Sequence, residues 1–112
     1  MCQDRHGVIW IGSCDGLNIY DGTYLGLYKP TNVHHSFSGN LIERIIEADN
    51  DVLWIQTNYG LDRFDTRRQT IQASRLKYIN RMAISPEDDF FIIKDDGYIY
   101  YYQPEQKDFC KT

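Results

Sequence analysis

The stretch Gly7-Val8-Ile9-Trp10-Ile11-Gly12-Ser13-Cys14-Asp15-Gly16-Leu17-Asn18-Ile19-Tyr20-Asp21 decides the fold of this chain. Two short apolar runs flank a Ser-Cys-Asp-Gly turn, and the second run ends on Asp-Gly. The phrase returns as Asp51-Val52-Leu53-Trp54-Ile55-Gln56-Thr57-Asn58-Tyr59-Gly60-Leu61-Asp62-Arg63-Phe64-Asp65. Trp10 and Trp54, Gly16 and Gly60, and Asp21 and Asp65 each stand 44 positions apart and fix the register. A third, more worn copy reads Phe90-Phe91-Ile92-Ile93-Lys94-Asp95-Asp96-Gly97-Tyr98-Ile99-Tyr100-Tyr101. It places Gly97 37 positions beyond Gly60 and Phe91 in the tryptophan slot. A period of about 40 residues with one hairpin per unit belongs to blade-type repeats.

Val8 to Ile11 is a continuous β-branched and aromatic run, which suits a strand buried on both faces. Ser13 to Gly16 turns the chain, with Gly16 suited to a positive φ. Leu17 to Tyr20 alternates and reads as a half-buried strand paired back on the first. Asp21-Gly22 makes the next turn, and Tyr24 to Tyr28 is a third strand. Residues 30–40 are a connecting loop by composition. Leu41, Ile42, Ile45 and Ile46 fall at helical spacing, with Glu43, Arg44 and Glu47 on the other side. Their place inside a repeat of hairpins favours a strand, for them and for the counterpart from Tyr78 to Ile84, with a short helix as the alternative. Thr70 to Ala73, Ile99 to Tyr102 and Asp108 to Cys110 complete the set. Each unit is thus four short antiparallel strands. The chain is expected to be all-β, a partial β-propeller of nearly three blades: residues 1–31 (lacking a first strand, because residues 1–6 are few and polar), 32–74 and 75–112.

At 112 residues the chain is one domain by size, enough to bury roughly two-thirds of its unfolded surface. A net charge of −4, with Arg67-Arg68 as the one adjacent basic pair, offers no stripe to neutralise phosphates, so nucleic acid is not an expected partner. The three cysteines, Cys2, Cys14 and Cys110, are an odd count without a CxxC and form no metal spacing. The opening Met-Cys-Gln-Asp-Arg-His-Gly has no apolar core for a secretory signal. Apolar runs of four or five residues are far short of the roughly 20 that span a bilayer. No membrane contact is expected of this segment.

The pattern (acidic or polar)-x-x-Gly-x-(Leu/Ile)-Trp-Ile-Gly-(Ser/Thr)-x-x-Gly-Leu-x-x-(Tyr/Phe)-Asp resembles the two-component regulator propeller repeat. Residues 4–21 carry it through Trp10, Gly12, Gly16, Leu17 and Asp21. Residues 48–65 carry it through Trp54, Gly60, Leu61 and Asp65, with departures at Asp51 and Gln56, where glycines are expected. The third unit keeps Gly97 and the aromatic and aliphatic character, with Phe91 in the tryptophan slot, and has lost the Trp and the closing Asp. The resemblance covers essentially the whole chain. It implies a fragment of a propeller from the periplasmic sensor region of a hybrid two-component system of the kind found in gut Bacteroidetes, whose ligands are typically oligosaccharides.

Trp10 and Trp54 could stack on a sugar, but their mid-strand position makes them core residues. Of the tyrosines at 98, 100, 101 and 102, alternate ones must face the core or a neighbouring blade. Asp49-Asn50-Asp51 lacks the sixth-position glycine and terminal glutamate of a calcium loop and reads as a turn. His34-His35 has no partner at ligand spacing. No catalytic, cofactor or metal constellation is visible. Ligand contacts are expected from loops: residues 32–40, the Asn58-Tyr59 turn and the Asp95-Asp96 turn. The reading is a non-enzymatic sensor module that binds an oligosaccharide. The alternatives are a protein-interaction scaffold or a fragment of a propeller lyase or glycosidase. End blades leave an apolar face and unpaired edges, so neighbouring blades or self-association, with two copies completing a six-bladed ring, are the expected protein partners.

Overall fold

The computed structural model describes residues 2–13, 16–27, 37–39, 41–49, 51–68, 70–87, 89–106 and 108–112. Cys14-Asp15 of the first hairpin turn, Tyr28, His34-His35, most of the 30–40 loop and Asn50 lie outside the described residues. Twelve strands run through the described residues: β1 (Cys2–Gln3), β2 (Ile9–Ser13), β3 (Gly16–Tyr20), β4 (Leu25–Leu27), β5 (Ile42–Asp49), β6 (Val52–Thr57), β7 (Gly60–Asp65), β8 (Thr70–Lys77), β9 (Ile79–Ile84), β10 (Phe90–Lys94), β11 (Ile99–Gln103) and β12 (Asp108–Lys111). They form three four-stranded antiparallel meanders, β1–β4, β5–β8 and β9–β12. The all-β blade architecture expected from the repeat is therefore present, and residues 42–49 are strand. The helical spacing in that segment was fortuitous, since Ile42 and Ile45 point into a core made by the sheet in front of them.

Two details differ from expectation. The first sheet has an opening strand, with Cys2 opposite Trp10 and Gln3 opposite Ile9. Backbone donors along the edge of β2 recruit those two residues whatever their side chains. Asp4 then closes the turn: its carboxylate accepts from His6 N at 2.9 Å, Val8 N at 3.0 Å and Trp10 Nε1 at 2.9 Å. The second sheet also runs past residue 74, because Leu76 is buried and β8 continues beside Gly60 to Lys77.

The sheets stack face to face, and alternate residues of each strand serve different seams. Trp10 and Leu17 of the first sheet meet Ile42, Ile45, Leu53, Ile55, Phe64 and Ile71 of the second. Trp54, Leu61 and Leu76 of the second meet Ile79, Phe90, Ile92 and Phe109 of the third. The middle strand β6 is accordingly buried at every position, as a run without alternation requires. The equivalent run in β2 is buried only at Trp10; the sequence suits burial on both faces, but here one face has no sheet against it. Trp54 is the hub of the second seam, stacked on Phe90 at 4.8 Å and edge-on to Tyr102 and Phe109 at 4.8 and 5.3 Å.

Turn chemistry repeats with the blades. Asp21 Oδ1 accepts from Thr23 N, Thr23 Oγ1 and Tyr24 N. Asp65 Oδ1 accepts from Arg67 N and Arg68 N at 3.0 Å each. Thr23 N–H first, then Tyr24 N–H, hold the Asp21 carboxyl below its ordinary value. Asp51 takes φ +61° in the slot where the first blade has Gly7 at φ +84°. Aspartate is one of the few residues that tolerate the left-handed region, which explains how this turn dispenses with glycine.

Candidate functional site

The second seam departs from the first at the position of Gln56, beside a cleft. Gln56 stands 44 positions after Gly12, and Ile79 stands 37 after Ile42. Gln56 thus faces Ile79 as Gly12 faces Ile42. A Cβ on Gly12 would lie 2.6 Å from Ile42 Cγ2 and 2.9 Å from Ile42 O, so only hydrogen fits between those strands. At the second seam a whole glutamine side chain is accommodated. Its Nε2 donates to Ile79 O at 2.9 Å and to Glu43 Oε2 at 3.1 Å. β2 lies close along β5, and β6 does not approach β9 in that way. At the first seam, the β1–β2 turn is also clipped to the second sheet by Arg5 with Glu47 and His6 with Asp51.

Between the parted sheets lies an open, polar cleft of about 400 Å³. Glu43 and Arg44 of β5 form one wall, with Gln56, Thr57 and Asn58 at the end of β6. Tyr78, Ile79 and Asn80 form the other, and Asp95 of the β10–β11 turn closes the rim. A smaller cavity of about 190 Å³ flanks the same seam on its outer side, beside Trp54, Arg63 and Phe109.

The floor of the cleft carries an unpaired acceptor. Both Gln56 N–H groups point at groups that only accept, a carbonyl and a carboxylate, which fixes the amide orientation. Gln56 Oε1 is left with no hydrogen-bond partner, although the residue is 2% exposed. Such an orphan costs about 1–3 kcal/mol relative to a paired acceptor. Behind the wall, Thr57 Oγ1 accepts from Gly60 N at 3.1 Å and contacts Ser38 Oγ at 3.3 Å. Ser38 in turn donates to Asp62 Oδ2 through its N–H at 2.8 Å and its hydroxyl at 3.1 Å. Asp62 is fully buried, and its Oδ1 has no partner. Burial pushes its carboxyl above the ordinary carboxylate value, while the Ser38 donors and Lys77 pull it partly back.

Tyr78 is the one residue between β8 and β9. It takes φ +59°, a left-handed conformation that costs a bulky residue on the order of 1–3 kcal/mol. Its N–H donates to Tyr59 O at 3.2 Å, and its carbonyl accepts from Asp95 N at 3.0 Å. The ring meets that of Tyr59 edge-on at 6.1 Å, and Lys77 Nζ lies 4.4 Å from the Tyr59 centroid. Tyr78 is left 59% exposed at the cleft rim.

Of the turn residues singled out in the sequence, the structure brings Asn58 and Asp95 to the cleft. Tyr59 stands behind Tyr78 as its support. Asp96 is turned into its own hairpin, where Oδ1 accepts from Tyr98 N at 3.0 Å. Of the 30–40 loop, only residues 37–39 are described, and Ser38 serves Asp62. Glu43, Arg44, Gln56, Tyr78 and Asn80 escaped the sequence reading. Gln56 alone carried a signal there, as the glutamine standing where the repeat has glycine. Among the described residues no group of three His, Cys, Asp or Glu side chains could hold a metal ion, and no helix is long and apolar enough to cross a membrane.

No protein-family model matches the chain, and no curated protein matches it. Solved structures do. One is the extracellular domain of what is described as a hybrid two-component system, BT3049 from B. thetaiotaomicron, with a TM-score of 0.79 and 20% identity over 97% of this chain. A second is the extracellular domain of what is described as a one-component system, BT4673 from the same organism, with a TM-score of 0.52 and 16% identity over 98% of this chain. The chain spans 17% of the length of the first solved extracellular domain and 21% of the second's. At these identities the likeness is one of fold: the three sheets are folded like a short stretch of the extracellular domains of these two signalling proteins.

Proposed function

We propose that this chain is part of the extracytoplasmic, non-enzymatic sensor propeller of a hybrid two-component signalling protein, and that it detects oligosaccharides from a periplasmic position. The fold neighbours support the sensor class and the extracytoplasmic side. The observation that carries the ligand class is the cleft itself, where the exposed Tyr78 ring borders amides and carboxylates of Gln56, Asn80, Glu43 and Asp95. A sugar ring has apolar C–H faces that pack on an aromatic ring and hydroxyl edges that pair with planar polar groups. A concave site with a few convergent polar groups is the default place for such a ligand.

Calorimetric titration with linear glucan, xylan and mannan tetrasaccharides tests this reading. Saturable binding to at least one, weakened about tenfold or more by Tyr78→Ala, is expected. Heat-silent titrations across the panel would remove the carbohydrate reading, and release of shorter products would replace the sensor with a propeller enzyme.

The protein partners follow from the two ends of the stack. The outer face of the first sheet presents Tyr20, Leu25 and Leu27, and that of the third presents Ile93 and Ile99, all exposed. Neighbouring blades are the natural covering of both faces, and another copy of the chain takes their place when it is alone.

A further inference from the structure

We infer that the seam between the second and third sheets is a donor-reading joint: the cleft takes a hydroxyl group that pairs with Gln56 Oε1. The identity of the hydroxyl's carrier as a sugar rests on the function proposed above, but the requirement for a donor does not. The amide N–H groups are already committed to Ile79 O and Glu43 Oε2, so the open capacity of this side chain is acceptance alone. A ligand that offers only acceptors or apolar surface gains nothing from it. Arg44 offsets one of the two carboxylates at the cleft, Glu43 and Asp95, and Glu43 already accepts from the Gln56 amide, so the negative excess is small and an uncharged hydroxyl serves the site as well as a cation does.

The geometry also says how occupancy is felt. Gln56 Oε1 is covered by its surroundings, so a donor reaches it only as that cover shifts while the amide stays held on Ile79 O and Glu43 Oε2. The bonds that cross beside the cleft include Gln56 to Ile79 O and Tyr78 N to Tyr59 O. At the first seam Gly12 leaves no such room. Gln56 is therefore both the wedge that opens the seam and the group that reads what enters, and filling the cleft changes the set of one blade against the next.

The test follows side-chain amide signals of the ¹⁵N-labelled chain by NMR during titration with three probes. Glucose offers hydroxyl donors, methylammonium a cationic donor, and 1,4-dioxane a ring of the same size without donors. Expected are saturable shifts of the Gln56 and Asn80 signals with glucose and none with dioxane. Gln56→Met keeps the wedge and removes the acceptor, and should weaken the Asn80 response at least tenfold. Gln56→Gly should abolish it as the seam closes. Equal response to dioxane, undiminished response in Gln56→Met, or silence with both donors overturns the inference. Should both variants lose the circular dichroism of the parent, the glucose-against-dioxane comparison on the unaltered chain decides alone. Response to methylammonium but not to glucose leaves the joint standing and removes the carbohydrate reading. Oligosaccharide binding that survives Gln56→Met in full does the reverse.

Discussion

A methyl group on Gly12 would sit 2.6 Å from Ile42 Cγ2 and 2.9 Å from its carbonyl oxygen, so Gly12→Ala has to push the second sheet away from the first. Overpacking of this sort costs about 1–3 kcal/mol, and a urea melt of the variant should show an unfolding free energy lowered by that amount. Asp62 offers a test of sign at the same scale. Its carboxyl is raised above the ordinary 3.8 mainly by burial, so the folded state holds the proton more tightly than the unfolded chain does. Any stability tied to protonated Asp62 is then complete below the ordinary value and declines as pH rises through the raised one. Asp62→Asn removes the titration. The difference in melting temperature, variant minus parent, should grow from pH 3.8 upward and level off once the parent's carboxyl is ionised; a difference independent of pH would refute the assignment. The equivalent position in the first blade is Asn18, whose Nδ2 donates to Ser13 Oγ at 3.2 Å. Little of this was legible beforehand. The glycine pattern showed where Gln56 broke it. Why it mattered depended on which strand of the next blade lay opposite, and spacing along one chain does not supply that.

Elements proved easier to read than residues. The strand β6 combines an unalternated apolar sequence with burial at every position, and Trp54 at its centre joins three aromatic rings of the third sheet. Trp54→Ala should therefore cost about 3–5 kcal/mol. Phe91 holds the same register slot, opposite Ala83 as Trp54 is opposite Ile46, but it is only half-buried because no sheet covers that side. Phe91→Ala should cost roughly 1 kcal/mol or less on the same burial scale. Denaturant melts of the two variants would separate these values; equal losses would mean that Phe91's face is covered in solution. The strand at 42–49 was legible through its context, since a helix would have left the hairpin repeat without its first arm. β1 was not, because a two-residue strand is specified by the free edge it joins and hardly by its own side chains. The β8 boundary was missed for a related reason: Leu76 is a lone apolar residue whose burial is set by the third sheet.

At the scale of the molecule, the repeat made the stacking of sheets readable and left their ends open. Leu25 lies on the first sheet's outer face and Ile99 on the third's, so copies that associate through these faces do so head to tail. Light scattering should show a mass that rises with concentration, and either Leu25→Lys or Ile99→Lys alone should suppress the rise. Mixing the two variants should restore one joint and stop at a dimer. A monomeric mass at every concentration would show that the end faces do not pair. The joint at Tyr78 has a consequence of another kind. One residue carries the chain from β8 to β9, whereas residues 28–41 separate β4 from β5. The entropy lost in closing a loop grows with its length, so the second and third sheets meet at almost no such cost and the first must be gathered in through a long tether. Folding should therefore begin at the second seam. Truncating Phe90 should slow refolding, whereas truncating Leu17 should mainly hasten unfolding.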